Sequence, residues 1–407
     1  MALRRLVVFF DGTWNTPDSG KKPTNVVKML RAIRNKDDGI SQICFYDKGV
    51  GTGGPIDSLQ GGALGKGLTA NMVDGYRFLA NNAEPDDEIY VFGFSRGAYT
   101  ARSLVGFIGL TGLLSPLDLG EGLAQVLDVY RDKGLDTQQK REKIDALDVT
   151  RRKKVGVRCV GVWDTVGSLG IPGDLGRRFS SKYYFHDVQL GSNVDVALHA
   201  VGIDEKRSAF APTLWVRKTD MQPVAGQLVE QVWFSGVHSN IGGSYADAGL
   251  SDIALDWMIK RVDANTGLTF DQDYLDEYVR PDPLGEGVES RTALYKDSIF
   301  YPYQRLIQQC VPKGSSFGDW FRDTFPNLDR RNIVPDGFVT VNEKIHISVL
   351  LERLNKRVVH DGKPGTQYRP DNLAAAIRCC RAGGHIPVVG RNGEEIPRDQ
   401  VDWDAFG

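Results

Sequence analysis

Apolar residues in this chain come in short β-rich runs separated by longer stretches in which they recur every three or four positions. The runs at 5–10, 42–46, 88–94, 155–163 and 229–234 are apolar on both faces, which predicts strands covered on either side. The intervening stretches 25–33, 70–81, 97–108 and 251–262 carry helical periodicity. This alternation predicts an α/β fold: a mostly parallel sheet with crossover helices on both faces. Residues 194–202 read only as a buried apolar run, and 345–350 as strand-like. No internal repeat or low-complexity linker divides the chain, so one domain over 1–407 is expected. Residues 113–150 read as a helical insertion and 265–335 as a looser one, rich in Pro and aromatics, both candidates for a lid or cap.

Composition narrows the class without naming a function. With 407 residues, 41% hydrophobic and 25% charged, the chain can bury a large core without a metal or disulfides. A net charge of −2 gives no reason to expect nucleic acid as a partner. The basic run Arg151-Arg152-Lys153-Lys154 reads as a solvated element end. Five cysteines, an odd number without metal-like spacing, fit a reducing compartment. After Arg4-Arg5 the apolar run ends at Asp11, too short for a signal h-region, and no stretch of about 18 apolar residues occurs. Synthesis in the cytoplasm is expected, with any export by a route that leaves no cleaved leader.

The first chemical signal is Gly93-Phe-Ser95-Arg-Gly97, placed between an apolar strand and a helix. This is the Gly-x-Ser-x-Gly of a nucleophile elbow: side chains two residues either side of the serine would collide with the neighbouring strand and helix. Ala98 and Ala101 extend the small face. A hydroxyl nucleophile needs a base, and the base an orienting acid. Of the six histidines, His238 stands apart, in a glycine-rich loop just past a strand end, where sheet enzymes place their sites. His199 and His346 lie in apolar runs; His186, His360 and His385 lie in polar loops. For the acid, Asp164 emerges at a strand end before a glycine and satisfies the order Ser, Asp, His. Asp204 and Asp247 are its competitors.

An oxyanion hole would take the Arg96 N–H and a second donor from Gly12 or Thr13, after the first strand. Asp11-Gly12-Thr13 also resembles an aspartyl phosphatase start, but Thr13 stands where the second Asp belongs; alternatively Asp11 only binds its own turn. Asp11, Trp14 and Gly51 are expected to border the substrate. The glycine-rich 49–67 stretch departs from a phosphate loop, because Gly65-Lys66 is followed by Gly67, and reads as a loop beside the site. No metal-ligand spacing occurs and no cofactor is expected. In 317–325, Phe317, Trp320, Phe321 and Phe325 would share one helix face, either buried or acting as an interfacial lid in which Trp320 meets lipid.

With these residues in view, the chain resembles a bacterial and fungal α/β-hydrolase family that includes phospholipase effectors of type VI secretion. The stretches that carry the resemblance are Phe10-Asp-Gly-Thr-Trp-Asn15, Tyr46-Asp-Lys-Gly-Val-Gly-Thr-Gly53, Gly93-Phe-Ser-Arg-Gly-Ala-Tyr-Thr-Ala-Arg102, Gly161-Val-Trp-Asp-Thr-Val-Gly167 and Trp233-Phe-Ser-Gly-Val-His-Ser-Asn-Ile-Gly-Gly243. Ile203-Asp-Glu-Lys-Arg207 adds to them. The resemblance implies catalytic Ser95, Asp164 and His238, acting on acyl esters, often glycerophospholipids, with contact to a membrane surface. Asn240 stands where the family often has Asp. A soluble carboxylesterase or thioesterase, and a non-catalytic hydrolase-fold binding module, remain as alternatives. The sequence identifies no immunity or secretion partner.

Overall fold

The computed structural model describes residues 3–12, 22–49, 61–167, 190–207, 210–290, 303–311, 334 and 336–404. Along these residues run β1 (Arg4–Phe10), α1 (Asn25–Ala32), β2 (Ile40–Asp47), α2 (Gly61–Asn82), β3 (Glu88–Phe94), α3 (Arg96–Thr111) and β4 (Val157–Trp163). There follow β5 (Val194–Gly202), β6 (Leu228–Phe234), α4 (His238–Gly242), α5 (Gly249–Thr266), β7 (Glu343–His346), α6 (Asp371–Arg381), β8 (Val388–Val389) and β9 (Glu395–Ile396), with shorter elements between.

The strands form one sheet in the order β9-β8-β7-β6-β5-β4-β3-β1-β2, extended past β2 by the short strand Lys36–Asp37. All neighbours from β2 across to β8 run parallel; the two end pairs are antiparallel. The chain steps from β1 outward to β2, then crosses back to lay β3 on the other flank of β1. Between β1 and β3 the winding therefore reverses, and open α/β sheets bind ligands outside the carboxyl ends of the strands at such a reversal.

Strand periodicity sends alternate residues to opposite faces. In β1, Leu6, Val8 and Phe10 join α2 and α3 residues in one cluster, while Val7 and Phe9 join α1 and α5 residues in another. Tyr90, Phe92 and Phe94 of β3 face the second cluster, and Ile89 and Val91 the first. Burying each such side chain contributes about 1.5–3 kcal/mol, so both faces must be covered for the sheet to persist. A third cluster joins Trp233 of β6 and Ile345 of β7 to Leu373, Ala376 and Ile377 of α6.

The fold departs from the sequence pattern in two places. Residues 194–202 form β5, the strand between β4 and β6. A central strand buried on both faces has no alternation, and its apolar run cannot be told from a buried helix by periodicity. Beyond His346 the strand-like 345–350 stretch turns into the helical Ser348–Arg353 instead of continuing β7. In the 113–150 insertion, Leu113–Leu114 pairs with Arg151–Arg152, and helices Glu121–Arg131 and Thr137–Asp145 pack beside α3, where the Phe107 and Tyr130 rings meet edge to face. All five cysteines are free thiols. Among the described residues, no helix is long and apolar enough to cross a membrane.

Candidate active site

The carboxyl ends of β1, β3, β4, β5 and β6 each deliver part of one site. Ser95 follows β3 directly, with φ 61° and ψ −122°, a conformation that costs a non-glycine residue about 1–3 kcal/mol. Its backbone is held there from the β4 side: the Ser95 N–H donates to the Trp163 carbonyl (3.1 Å), and the Ser95 carbonyl accepts from Val166 (3.5 Å). The flanking glycines are required by contact. A Cβ on Gly97 would lie 2.5 Å from the Asp11 carbonyl oxygen and closer still to that of Phe10, both rigid backbone at the end of β1. Gly97→Ala is therefore expected to destabilise the fold by about 3 kcal/mol and to displace the elbow; urea unfolding of the variant checks this, and a cost within about 0.5 kcal/mol would refute it.

His238 opens α4 just past β6 and is buried. Its Nε2 lies 2.8 Å from Ser95 Oγ, and its Nδ1 lies 2.6 Å from Asp164 Oδ2. With a carboxylate accepting at Nδ1, the neutral imidazole carries its proton there and turns the Nε2 lone pair to the serine hydroxyl. The ring is held between Phe94 (centroids 4.7 Å apart) and Phe210 (4.8 Å, edge to face). Its backbone N–H donates to Glu205 Oε2 (3.3 Å); Glu205 in turn pairs with Arg207 (2.8 Å), whose guanidinium lies 3.6 Å above the Phe210 ring centre.

Asp164 follows β4 and is wholly buried. Its φ of 41° turns the side chain back toward β5, while its N–H donates to Ala200 (2.7 Å). Oδ1 accepts from the Gly202 N–H (2.9 Å) and Arg305 Nη1 (2.6 Å); Oδ2 accepts from His238 Nδ1 and Arg305 Nη2 (2.9 Å). Burial alone pushes this carboxyl up, but the Arg305 charge and the hydrogen bonds from His238 and Arg305 outweigh it and hold the acid below its ordinary range. Glu205 and Arg305 are the residues that sequence reasoning missed. Arg305 left one signal, a lone cation in the aromatic and apolar run Tyr301-Pro-Tyr-Gln-Arg-Leu-Ile307, because arginine is seldom fully buried unless paired.

The competing acids serve other ends. Asp204 accepts from the Gly236 N–H (2.6 Å) and Tyr368 OH (3.1 Å), bracing the loop ahead of His238. Asp247 accepts from the backbone N–H groups of Gly249 and Glu286. Asn240 Oδ1 accepts from the Val237 N–H (3.2 Å), a turn-closing bond at the start of α4. His199 is buried neutral, its pKa pushed down to about 3 chiefly by burial. It bonds the Thr165 N–H and Gln231, in the polar packing under the site.

Arg96 begins α3, in the first turn, where backbone N–H groups lack intrahelical acceptors. The Gly12 N–H differs from the open oxyanion donor the sequence suggested: it donates to Asp11 Oδ1 (2.6 Å). Asp11 itself is buried rather than turned to a substrate. Its other oxygen accepts from Thr24 and Tyr46 (2.8 Å each), tying together the ends of β1 and β2 and the start of α1. Burial raises the Asp11 pKa to about 6 against these hydrogen bonds. Thr13, Trp14, Gly51 and Trp320 lie outside the described residues, and among those described no cluster of His, Cys, Asp and Glu could hold a metal.

Comparison with known proteins adds a family. The model of the type VI secretion phospholipase effector Tle1-like catalytic domain matches residues 4–261. An uncharacterized protein of Saccharomyces cerevisiae is 30% identical over 229 residues, 51% of this chain and 32% of its own length. Among solved structures, an uncharacterized protein from Pseudomonas aeruginosa aligns at 19% identity and a TM-score of 0.42, over 69% of this chain and 49% of that one. The Tle1 effector bound to the VgrG spike of the type 6 secretion system aligns at 19% and 0.32, over 60% and 52%. The chain thus spans about a third of the yeast relative and about half of each solved chain.

Proposed function

The chain belongs to the Tle1-like phospholipase effector catalytic-domain family of type VI secretion, and on that premise we propose that it is a serine ester hydrolase acting on glycerophospholipids. The observation that carries the reading is the continuous hydrogen-bonded chain Ser95 Oγ–His238–Asp164 at the carboxyl edge of the sheet. In the first step His238 Nε2 takes the hydroxyl proton as Oγ attacks the ester carbonyl. The tetrahedral oxyanion is held by the Arg96 N–H and by a second backbone N–H from the stretch after β1, at whose end Phe10 and Asp11 lie against the elbow at Gly97. His238 then protonates the leaving alcohol, and water, activated by the same imidazole, releases the fatty acid. Asp164 keeps the imidazole in the productive tautomer and stabilises its charged form. The domain is read as single, with a membrane surface as the place of action and a type VI route as the means of export.

The test is incubation of the protein with phosphatidylethanolamine–phosphatidylglycerol vesicles, with products identified by mass spectrometry. Fatty acid and lysolipid should appear together, the lysolipid isomer fixing the acyl position. Cleavage of soluble acyl esters alone would replace the phospholipase with a carboxylesterase. Cleavage of neither would reduce the chain to a hydrolase-fold binding module.

A further inference from the structure

Resting on the proposed roles of Ser95 and His238, we infer that Arg305 is a positioning residue of the reaction: its guanidinium fixes the charge and orientation of Asp164, and through Asp164 the imidazole of His238. Arg305 has no exposed surface and grips the carboxylate with both Nη atoms. The same two nitrogens donate to the carbonyls of Gly202 (2.6 Å) and Phe210 (2.7 Å), on either side of the loop that carries Glu205 and Arg207. A planar fork held by four acceptors cannot shift without losing several bonds, so Asp164 inherits a fixed plane.

Arg305 is itself held by the C-terminal part of the chain. Asn372 Nδ2, at the start of α6, donates to the carbonyls of Arg305 (3.0 Å) and Ile203 (2.9 Å), and the Tyr303 N–H donates to the Lys206 carbonyl (3.0 Å). This segment lies beyond residues 4–261, so a residue outside the family-matched stretch completes the Asp164 environment. A buried ion pair is a weak source of stability, since apolar residues of similar volume often serve a core as well. Here Oδ2 of the gripped carboxylate lies in the hydrogen-bonded line to Ser95, and the guanidinium changes what the imidazole meets.

Among the described residues, the charged groups linked to His238 directly or through one partner are Asp164 after β4, Glu205 and Arg207 after β5, and Arg305. Glu205 is paired with Arg207, which leaves Arg305 as the cation that balances Asp164. A balanced carboxylate attracts the imidazolium less than a bare one, so Arg305 favours the neutral imidazole that can accept the serine proton. Its loss acts in one direction by either route. A bare Asp164 raises the imidazole titration, and an Asp164 that takes up a proton fails as an orienting acid at a higher pH than before.

The test compares wild type, Arg305→Met and Arg305→Lys in two measurements on the intact protein: the NMR titration of the His238 Cε1 proton, and the pH profile of kcat/KM on a soluble acyl ester. In Arg305→Met the imidazole midpoint and the acid limb should rise by about one pH unit or more. Its kcat should fall about 10²-fold, with KM within about twofold. Arg305→Lys should return the midpoint toward wild type yet stay about tenfold low in kcat, because an ammonium cannot span both carboxylate oxygens. A folded Arg305→Met with wild-type midpoint and kcat would overturn the assignment. Should that variant not fold, Arg305→Lys decides alone: wild-type kcat and midpoint overturn it, and reduced kcat at unchanged KM supports it. If the wild type cleaves no ester, the hydrolase reading fails by itself. The NMR midpoints still decide the role of Arg305, supporting it if they move and refuting it if they do not.

Discussion

On the proposed reading, Ser95→Ala is expected to lower acyl-ester turnover by about 10⁶-fold while leaving stability within about 1 kcal/mol of wild type. The activity side follows from chemistry: without Oγ no acyl intermediate forms, and what remains is ordering of the substrate beside the oxyanion donors. The stability side follows from geometry. The hydroxyl makes its hydrogen bond to His238, and the backbone at φ 61°, ψ −122° is as unfavourable for alanine as for serine. Ser95→Gly separates the two. It should be as inactive as the alanine variant, yet more stable by about 1 kcal/mol, because glycine adopts this conformation without a Cβ clash. Urea unfolding of the three proteins, alongside their ester hydrolysis, gives both numbers. Turnover by Ser95→Ala within tenfold of wild type would move the nucleophile elsewhere. Equal stability of the Gly and Ala variants would show the elbow to be unstrained.

How much of this was legible in the sequence depended on whether the constraint was local. Gly93 and Gly97 are legible because an elbow admits no side chain there, and the structure supplies the atoms a side chain would strike, Gly97 and Ala98 in one case and Phe10 and Asp11 in the other. His238 and Asp164 stood out because each follows an apolar strand, and the parallel sheet brings those strand ends to one edge. β5 was obscured by the feature that makes it central, burial on both faces. Arg305 could not be paired with Asp164 at all: 141 residues separate them, and no periodicity encodes a contact between a loop and a strand end. Nor could sequence say that Asp11 would take the Gly12 N–H, since an Asp-Gly pair at a strand end serves equally as turn, brace or donor. Asn240 marks the limit of reading by pattern. A change from Asp in this place suggests a lost acid, whereas its side chain closes the first turn of α4 and His238 meets a different carboxylate.

Asp164→Asn tests the site from the side of the acid, and here activity and stability should both fall. All four groups around the carboxylate are donors: the Gly202 N–H, His238 Nδ1 and the two Arg305 nitrogens. An amide must turn its own NH₂ toward at least one of them. If it faces His238, Nδ1 becomes an acceptor and the ring proton moves to Nε2, where the imidazole can no longer receive the serine proton. Loss of the productive tautomer in this way is worth about 10⁴ in kcat. If it faces Arg305 instead, donor meets donor in a site without exposed surface. In either orientation the guanidinium loses its counter-charge, and an uncompensated buried cation costs about 3–5 kcal/mol. The double variant Asp164→Asn/Arg305→Met distinguishes the two effects. Removing the orphaned cation should recover about 2–3 kcal/mol, a coupling expected of groups in direct contact. Turnover should stay about 10⁴ below wild type, because the tautomer remains wrong. A single variant as stable as wild type would mean that the pair is solvated in solution. Recovery of activity in the double variant would mean that Asp164 orients nothing and that Arg305 alone suppresses the site.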